Sequence, residues 1–100
     1  MNLNKLMKQA QKMQEQMAKT QAELESKTVE VSAGGGKVKV TANGAGDVLA
    51  IKIDKEIVDP EDVEFLEETV LSAVKQAVEQ GKALAQSEMS RITGGLEGLL

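Results

Sequence analysis

The sequence predicts an α+β fold: a long helix, a three-stranded antiparallel meander, then a second long helix. Three observations carry that prediction. Apolar residues recur in alternating three- and four-residue steps at both ends of the chain, the period of a helix with one packed face. Between them the period falls to two, as in half-buried strands. Glycine- and asparagine-rich punctuation separates the segments at Gly34-Gly35-Gly36 and at Asn43-Gly44-Ala45-Gly46-Asp47. At 100 residues, one domain is expected.

The first helix covers the segment 1–27, with its regular part from about Asn4 to Ser26. This stretch is rich in Lys, Gln, Glu, Ala and Met and holds neither Gly nor Pro. Leu3, Leu6, Ala10, Met13, Met17, Thr20 and Leu24 form a coiled-coil-like seam. Asn2 or Asn4 can cap its start. At 1.5 Å per residue the helix is roughly 35 Å long.

The meander occupies 28–54. Apolar and polar residues alternate in Thr28–Ala33 and in Lys37–Ala42, and the Gly34–Gly36 loop between them suits a hairpin because glycine tolerates positive φ. A third strand runs through Val48–Asp54. Each strand is expected to bury about one face.

The second helix is expected over 59–93. Asp59 reads as its N-cap, Pro60 as its first residue, and Glu61, Asp62 and Glu64 lie where the helix dipole favours negative charge. Val63, Leu66, Val70, Val74, Ala77, Leu84 and Ile92 share one broad face, and Gly94-Gly95 reads as the stop, leaving 94–100 as a flexible tail. Gly81 lies on the apolar face and admits two readings: a close backbone approach, or a tolerated glycine costing about 1 kcal/mol.

The connections set the architecture. Three strands reverse the chain's direction so that the second helix must turn back across the sheet. A six-residue strand spans only about 20 Å, which about thirteen residues of helix cover. The rest of the second helix overhangs and can pair antiparallel with the first, projecting as a helical arm. The open sheet edges and the strand apolar surface call for cover, so a homodimer is expected.

Composition narrows the function. Cys and His are absent and Phe65 is the only aromatic residue. Disulfides, thiolate metal sites and a cysteine nucleophile are thereby excluded, and the usual neutral-pH acid–base side chain is missing. A conventional hydrolase or oxidoreductase does not fit. Polar residues interrupt the apolar ones from Met1 to Met17, and no stretch reaches the ~20 apolar residues of a membrane span. A soluble cytoplasmic protein with no membrane partner is expected.

Net charge is −4, but it is unevenly spread. Residues 1–27 hold five Lys against three Glu, whereas residues 54–100 hold eleven acids against Lys55, Lys75, Lys82 and Arg91. At 100° per residue, Lys5, Lys8, Lys12 and Lys19 fall within about 80° to 140° on the first helix, almost opposite its seam. The stripe is about 21 Å long. Such a stripe suits a duplex backbone, where each Lys neutralises a phosphate and releases counterions. Lysines opposite an apolar seam are also how any soluble helix looks, and Glu15 and Glu23 lie close by. The stripe alone therefore makes nucleic acid a candidate partner and no more.

Other motifs carry less. Gly34-Gly35-Gly36-Lys37 lacks the spacing, the Ser or Thr and the following helix of a phosphate loop, and reads as a hairpin turn. Asp59, Glu61 and Asp62 match no calcium-loop spacing and read as helix caps. Phe65 lies about 160° from the apolar face, either as a dimer anchor or as a staple against Ile57–Val58. With so few aromatics, stacking on single-stranded bases is not expected, so DNA contacts should be mainly to the backbone.

As an ordered set, Leu6–Gln14, Ala33–Gly36, Val38-Lys39-Val40, Asn43-Gly44, Ile51–Asp54, Asp59–Asp62 and Thr93–Leu96 resemble the YbaB/EbfC family of bacterial nucleoid-associated proteins over essentially the whole chain. The resemblance implies a tweezer-like cytoplasmic homodimer that binds duplex DNA, alters its conformation and associates with the nucleoid, without catalysis or cofactor. It also implies DNA contacts on the helical arms, here Lys5, Lys8, Lys12, Lys19 and Arg91. The short Glu97–Leu100 end departs from the Pro- and Gly-rich tails of many relatives. The alternative function is a dimeric protein-interaction module acting with recombination or replication proteins, beside whose genes the family is often encoded. The acidic net charge favours that alternative and the lysine stripe favours DNA.

Overall fold

The computed structural model describes residues 2–97. Helix α1 (Leu3–Ser26) is followed by strands β1 (Thr28–Ala33), β2 (Val38–Asn43) and β3 (Val48–Ile53), a 3-10 turn (Lys55–Ile57) and helix α2 (Val63–Glu97). The strands form one antiparallel sheet in the order β1-β2-β3. The expected class and element order are therefore present.

Asn2 starts α1 by accepting a hydrogen bond from the Lys5 backbone N–H at 3.3 Å. Gly34, Gly35 and Gly36 all take positive φ (63°, 67° and 85°), which explains the glycines at the first three positions of the β1–β2 turn. The start of α2 differs from expectation. Asp59 closes a turn of its own, accepting from the Glu61 N–H at 2.9 Å through its carboxylate and from the Asp62 N–H at 3.0 Å through its carbonyl. Asp62 then takes the capping role, accepting from the Phe65 N–H at 3.3 Å, so the helix begins at Val63. Its end also differs. Helix α2 runs through Gly94 and Gly95 to Glu97, because glycine weakens a helix by about 1 kcal/mol per residue without having to end it. Four residues assigned to the tail are thus helical, and residues 98–100 lie outside the described part.

Register explains the core. Val31 pairs with Val40 and Val40 with Ile51; Ala33 pairs with Val38 and Val38 with Ile53. Paired residues point to the same side, so one sheet face is apolar across all three strands. Helix α2 lies over β1 and β2, burying Val31, Val38, Val40 and Ala42 against Ala73 and Ala77. Strand β3 is left out. All six of its residues are exposed, including Val48, Leu49, Ile51 and Ile53. The expectation that every strand buries a face fails at β3, since α2 packs mainly along β1 and β2 and only grazes the third strand.

The deepest line on α2 is Thr69, Ala73, Ala77 and Gly81, one residue per turn, all small and all buried. Small side chains let the helix sit close on the sheet. Gly81 is the closest point: a Cβ there would overlap the Asn43 carbonyl oxygen. Close approach is the correct one of the two readings offered for this glycine.

The Asn43–Gly44 turn also anchors the other helix. The Gly44 N–H donates to the carbonyls of Leu24 (2.9 Å) and Lys27 (3.0 Å), and Asn43 Nδ2 donates to the Glu25 carbonyl at 3.1 Å. Leu24 is buried on Gly44, where a Cβ would stand 2.6 Å from its side chain. One turn therefore fixes the root of α1 and the midpoint of α2 together. From that root the helices project as an arm. The radius of gyration is 19.6 Å, against about 13 Å for a compact chain of this length, and the longest axis is 71 Å.

Candidate nucleic-acid interface

The arm is built from α1 and the second half of α2. Its packed seam is shorter than the heptad pattern: Leu24 is buried and Met13, Met17 and Thr20 are half-buried, whereas Leu3, Leu6, Met7 and Ala10 are exposed. On α2 the matching half-buried residues are Leu84, Ala85, Met89 and Ile92.

Lys5, Lys8, Lys12 and Lys19 are all exposed and form no ion pair among the described residues. The structure divides them into two groups. Lys12 and Lys19 rim an open cleft of about 1000 Å³ between the two helices, with Gln9, Gln16 and Met13 on the same side and Arg91 and Ile92 opposite. Lys5 and Lys8 lie outside that cleft, toward the start of α1. Arg91 is brought to Lys12 and Lys19, but its guanidinium is engaged, donating from Nη1 to Glu88 Oε2 at 3.2 Å.

Lys27 is a cleft residue that sequence reasoning missed. It is the C-cap of α1, where the helical wheel no longer assigns a direction, and its Nζ lies 3.3 Å from Glu88 Oε1. Glu88 thus sits between two cations, one from each helix, with its side chain only 18% exposed. Glu15 and Glu23 also line the cleft.

At the other end of the molecule, Lys37 faces acids. Its ammonium donates to Glu56 and lies 3.7 Å from Asp54. The Glu56 hydrogen bond, with the Asp54 charge behind it, holds this ammonium above its ordinary lysine value. Lys37 is occupied by its own chain, unlike the lysines of the stripe. Among the described residues no group of three or more His, Cys, Asp or Glu could hold a metal ion, and no helix is long and apolar enough to cross a membrane.

Comparison with known proteins identifies the lineage. The family model of the YbaB/EbfC DNA-binding family matches residues 1–96. The chain belongs to the YbaB/EbfC family. Among curated relatives, a nucleoid-associated protein of Ruminiclostridium cellulolyticum is 55% identical over 98% of this chain and 85% of its own length. One from Acetivibrio thermocellus is 51% identical over 98% and 87%. A crystal structure of an uncharacterised Helicobacter pylori protein superposes with a TM-score of 0.81 at 19% identity, covering 93% of this chain and 98% of the other. That likeness shows the same fold across a wide sequence distance. This is a DNA-binding family of nucleoid-associated proteins.

Proposed function

We propose that the protein is a nucleoid-associated homodimer of the bacterial cytoplasm that holds duplex DNA mainly by its phosphates. By changing the conformation of that DNA it affects nucleoid organisation and gene expression. Catalysis and cofactors play no part in this reading. Lys5, Lys8, Lys12 and Lys19 supply the contacts along the arm, joined by Arg91. The observation that carries the reading is the state of the four lysines: exposed, without an ion pair among the described residues, and ranged along about 21 Å of one helix. Unpaired cations need no internal bond broken before they meet phosphate.

The homodimer rests on β3. Val48, Ile51 and Ile53 continue the apolar face that α2 covers on β1 and β2, and β3 is also a bare sheet edge. A second copy supplies both the missing layer and a pairing partner.

The test is a Lys8→Glu, Lys12→Glu double variant in filter binding to random duplex DNA, from low to physiological salt. Both side chains are exposed, so the variant should fold and dimerise as wild type. Affinity should fall on sequences of any composition, since phosphate contacts do not read bases. The slope of log affinity on log salt should flatten by about one unit for each phosphate that is no longer neutralised. Glu67→Gln with Glu68→Gln, exposed acids on α2, should bind no worse. If the lysine variant keeps wild-type affinity and slope, the arms grip protein instead, and partners from recombination or replication become the leading candidates.

A further inference from the structure

We propose that Glu88 is a built-in stand-in for a DNA phosphate, and that Lys27 and Arg91, which it holds, form a second contact point at the root of the arm. The inference rests on the DNA reading above and goes beyond the lysine stripe. Three observations carry it. The Glu88 carboxylate is bracketed by Lys27 Nζ at 3.3 Å and Arg91 Nη1 at 3.2 Å, one oxygen to each cation. Glu88 is the sheltered member, its side chain 18% exposed, whereas Lys27 and Arg91 are 42% and 76% exposed and can turn outward. The same cleft carries Lys12 and Lys19 on its rim, so a backbone resting on those lysines passes the bracketed carboxylate.

An anion flanked by an ammonium and a guanidinium occupies the position in which a phosphate would be bound, because both cations recognise either group by charge-assisted hydrogen bonds. DNA entering the cleft therefore competes with Glu88 for Lys27 and Arg91. The pair is ready in place, yet each cation is partly neutralised until a stronger anion arrives. This lowers affinity for isolated anions and for weak duplex encounters, and reserves the root cations for DNA already engaged by the stripe. The placement is fixed by the fold. Lys27 ends α1, whose root is tied to the Asn43–Gly44 turn, and Glu88 follows Gly81, packed on the same turn, by about 10 Å of helix.

The experiment compares Glu88→Gln with Glu23→Gln in the full chain, by binding to random duplex DNA across a salt series. Both variants remove one negative charge from the same cleft, but Glu23 has no ion pair among the described residues. Glu23→Gln reports the general electrostatic gain alone. Glu88→Gln should bind at least about threefold tighter than Glu23→Gln at low salt, and its salt slope should steepen by about one to two units for the released cations. Glu88→Ala, which leaves no amide to hold the cations, should do the same. Adding Lys27→Gln and Arg91→Gln to Glu88→Gln should return the slope to the wild-type value or below. Circular dichroism and thermal melting confirm that each variant folds. Equal affinity and slope for Glu88→Gln and Glu23→Gln would overturn the proposal while leaving the stripe intact if Lys8→Glu, Lys12→Glu still weakens binding. Weaker binding by both Glu88 variants, with folding preserved, would make Glu88 a positioning residue and overturn its role as a phosphate stand-in. Absence of duplex binding by the wild type would overturn the DNA reading and this proposal together.

Discussion

At the scale of single residues, Gly81 and Asn43 decide where the arm points. Alanine normally stabilises a helix interior by about 1 kcal/mol over glycine. At position 81 the sign should reverse, because the added Cβ meets a backbone carbonyl that is itself held in a turn. Gly81→Ala is expected to destabilise by about 1–3 kcal/mol, a fall of several degrees or more in melting temperature, while Gln80→Ala on the exposed neighbour leaves it nearly unchanged. Matched melts of the two variants decide the point; equal midpoints would mean that the helix does not touch the turn. The sequence exposed the question, since a glycine on an apolar helical face is conspicuous, but not the answer. The contact joins residues 43 and 81, and no local pattern records which turn a helix will cross. Lys27 escaped notice for a related reason, as its partner lies on another helix. Lys37 gives a pH signature. Its folded pKa is raised, so its ion-pair contribution is complete below its ordinary value of 10.5 and is lost as pH rises through the higher folded value. The melting difference between wild type and Lys37→Gln should therefore be constant through neutral pH and shrink as pH rises through that alkaline range. The pair is exposed, so the difference should be small.

At the scale of elements, periodicity located every strand and both long helices, because a period of two or of three to four residues follows directly from which face is buried. It did not show how much of each element is covered. The heptad seam of α1 extends to Leu3, yet only its part from Met13 to Leu24 is covered. Nor did it reveal that β3 is uncovered, since an apolar strand face looks the same whether its cover comes from the same chain or another. That difference gives β3 a test of its own. Ile51→Lys should leave the protomer folded, as Ile51 is 44% exposed there and contributes little to the core beneath α2. It should however convert a species of about twice 10.7 kDa into one of 10.7 kDa by light scattering at micromolar concentration. A wild-type protein that is already monomeric under those conditions would remove the need for any partner on β3.

At the scale of the whole molecule, charge and shape act together. The protomer is 71 Å long, with the four lysines of the stripe on the helix of the arm and its densest acids, Asp54, Glu56, Asp59, Glu61, Asp62 and Glu64, around the turn that leads from the sheet into α2. The net charge of −4 therefore says little about the field DNA would meet at the arm, since exposed charges are screened beyond about 8–10 Å in physiological salt. If two arms reach one duplex, joining them through β3 makes the second contact intramolecular, and affinity gains without any new side chain. The Ile51→Lys monomer should then bind random duplex DNA more weakly than wild type although every lysine of its stripe is intact. Its salt slope should be about half the dimer's, because the slope counts the phosphates neutralised in one binding event and half the arms are gone. Lys8→Glu with Lys12→Glu should differ in kind, weakening each arm while leaving the dimer whole. Combining the two sets of substitutions should leave a monomer whose slope falls below half. Should the monomer retain the full slope, a single arm would already make every phosphate contact, and dimerisation would serve something other than a two-armed grip on DNA.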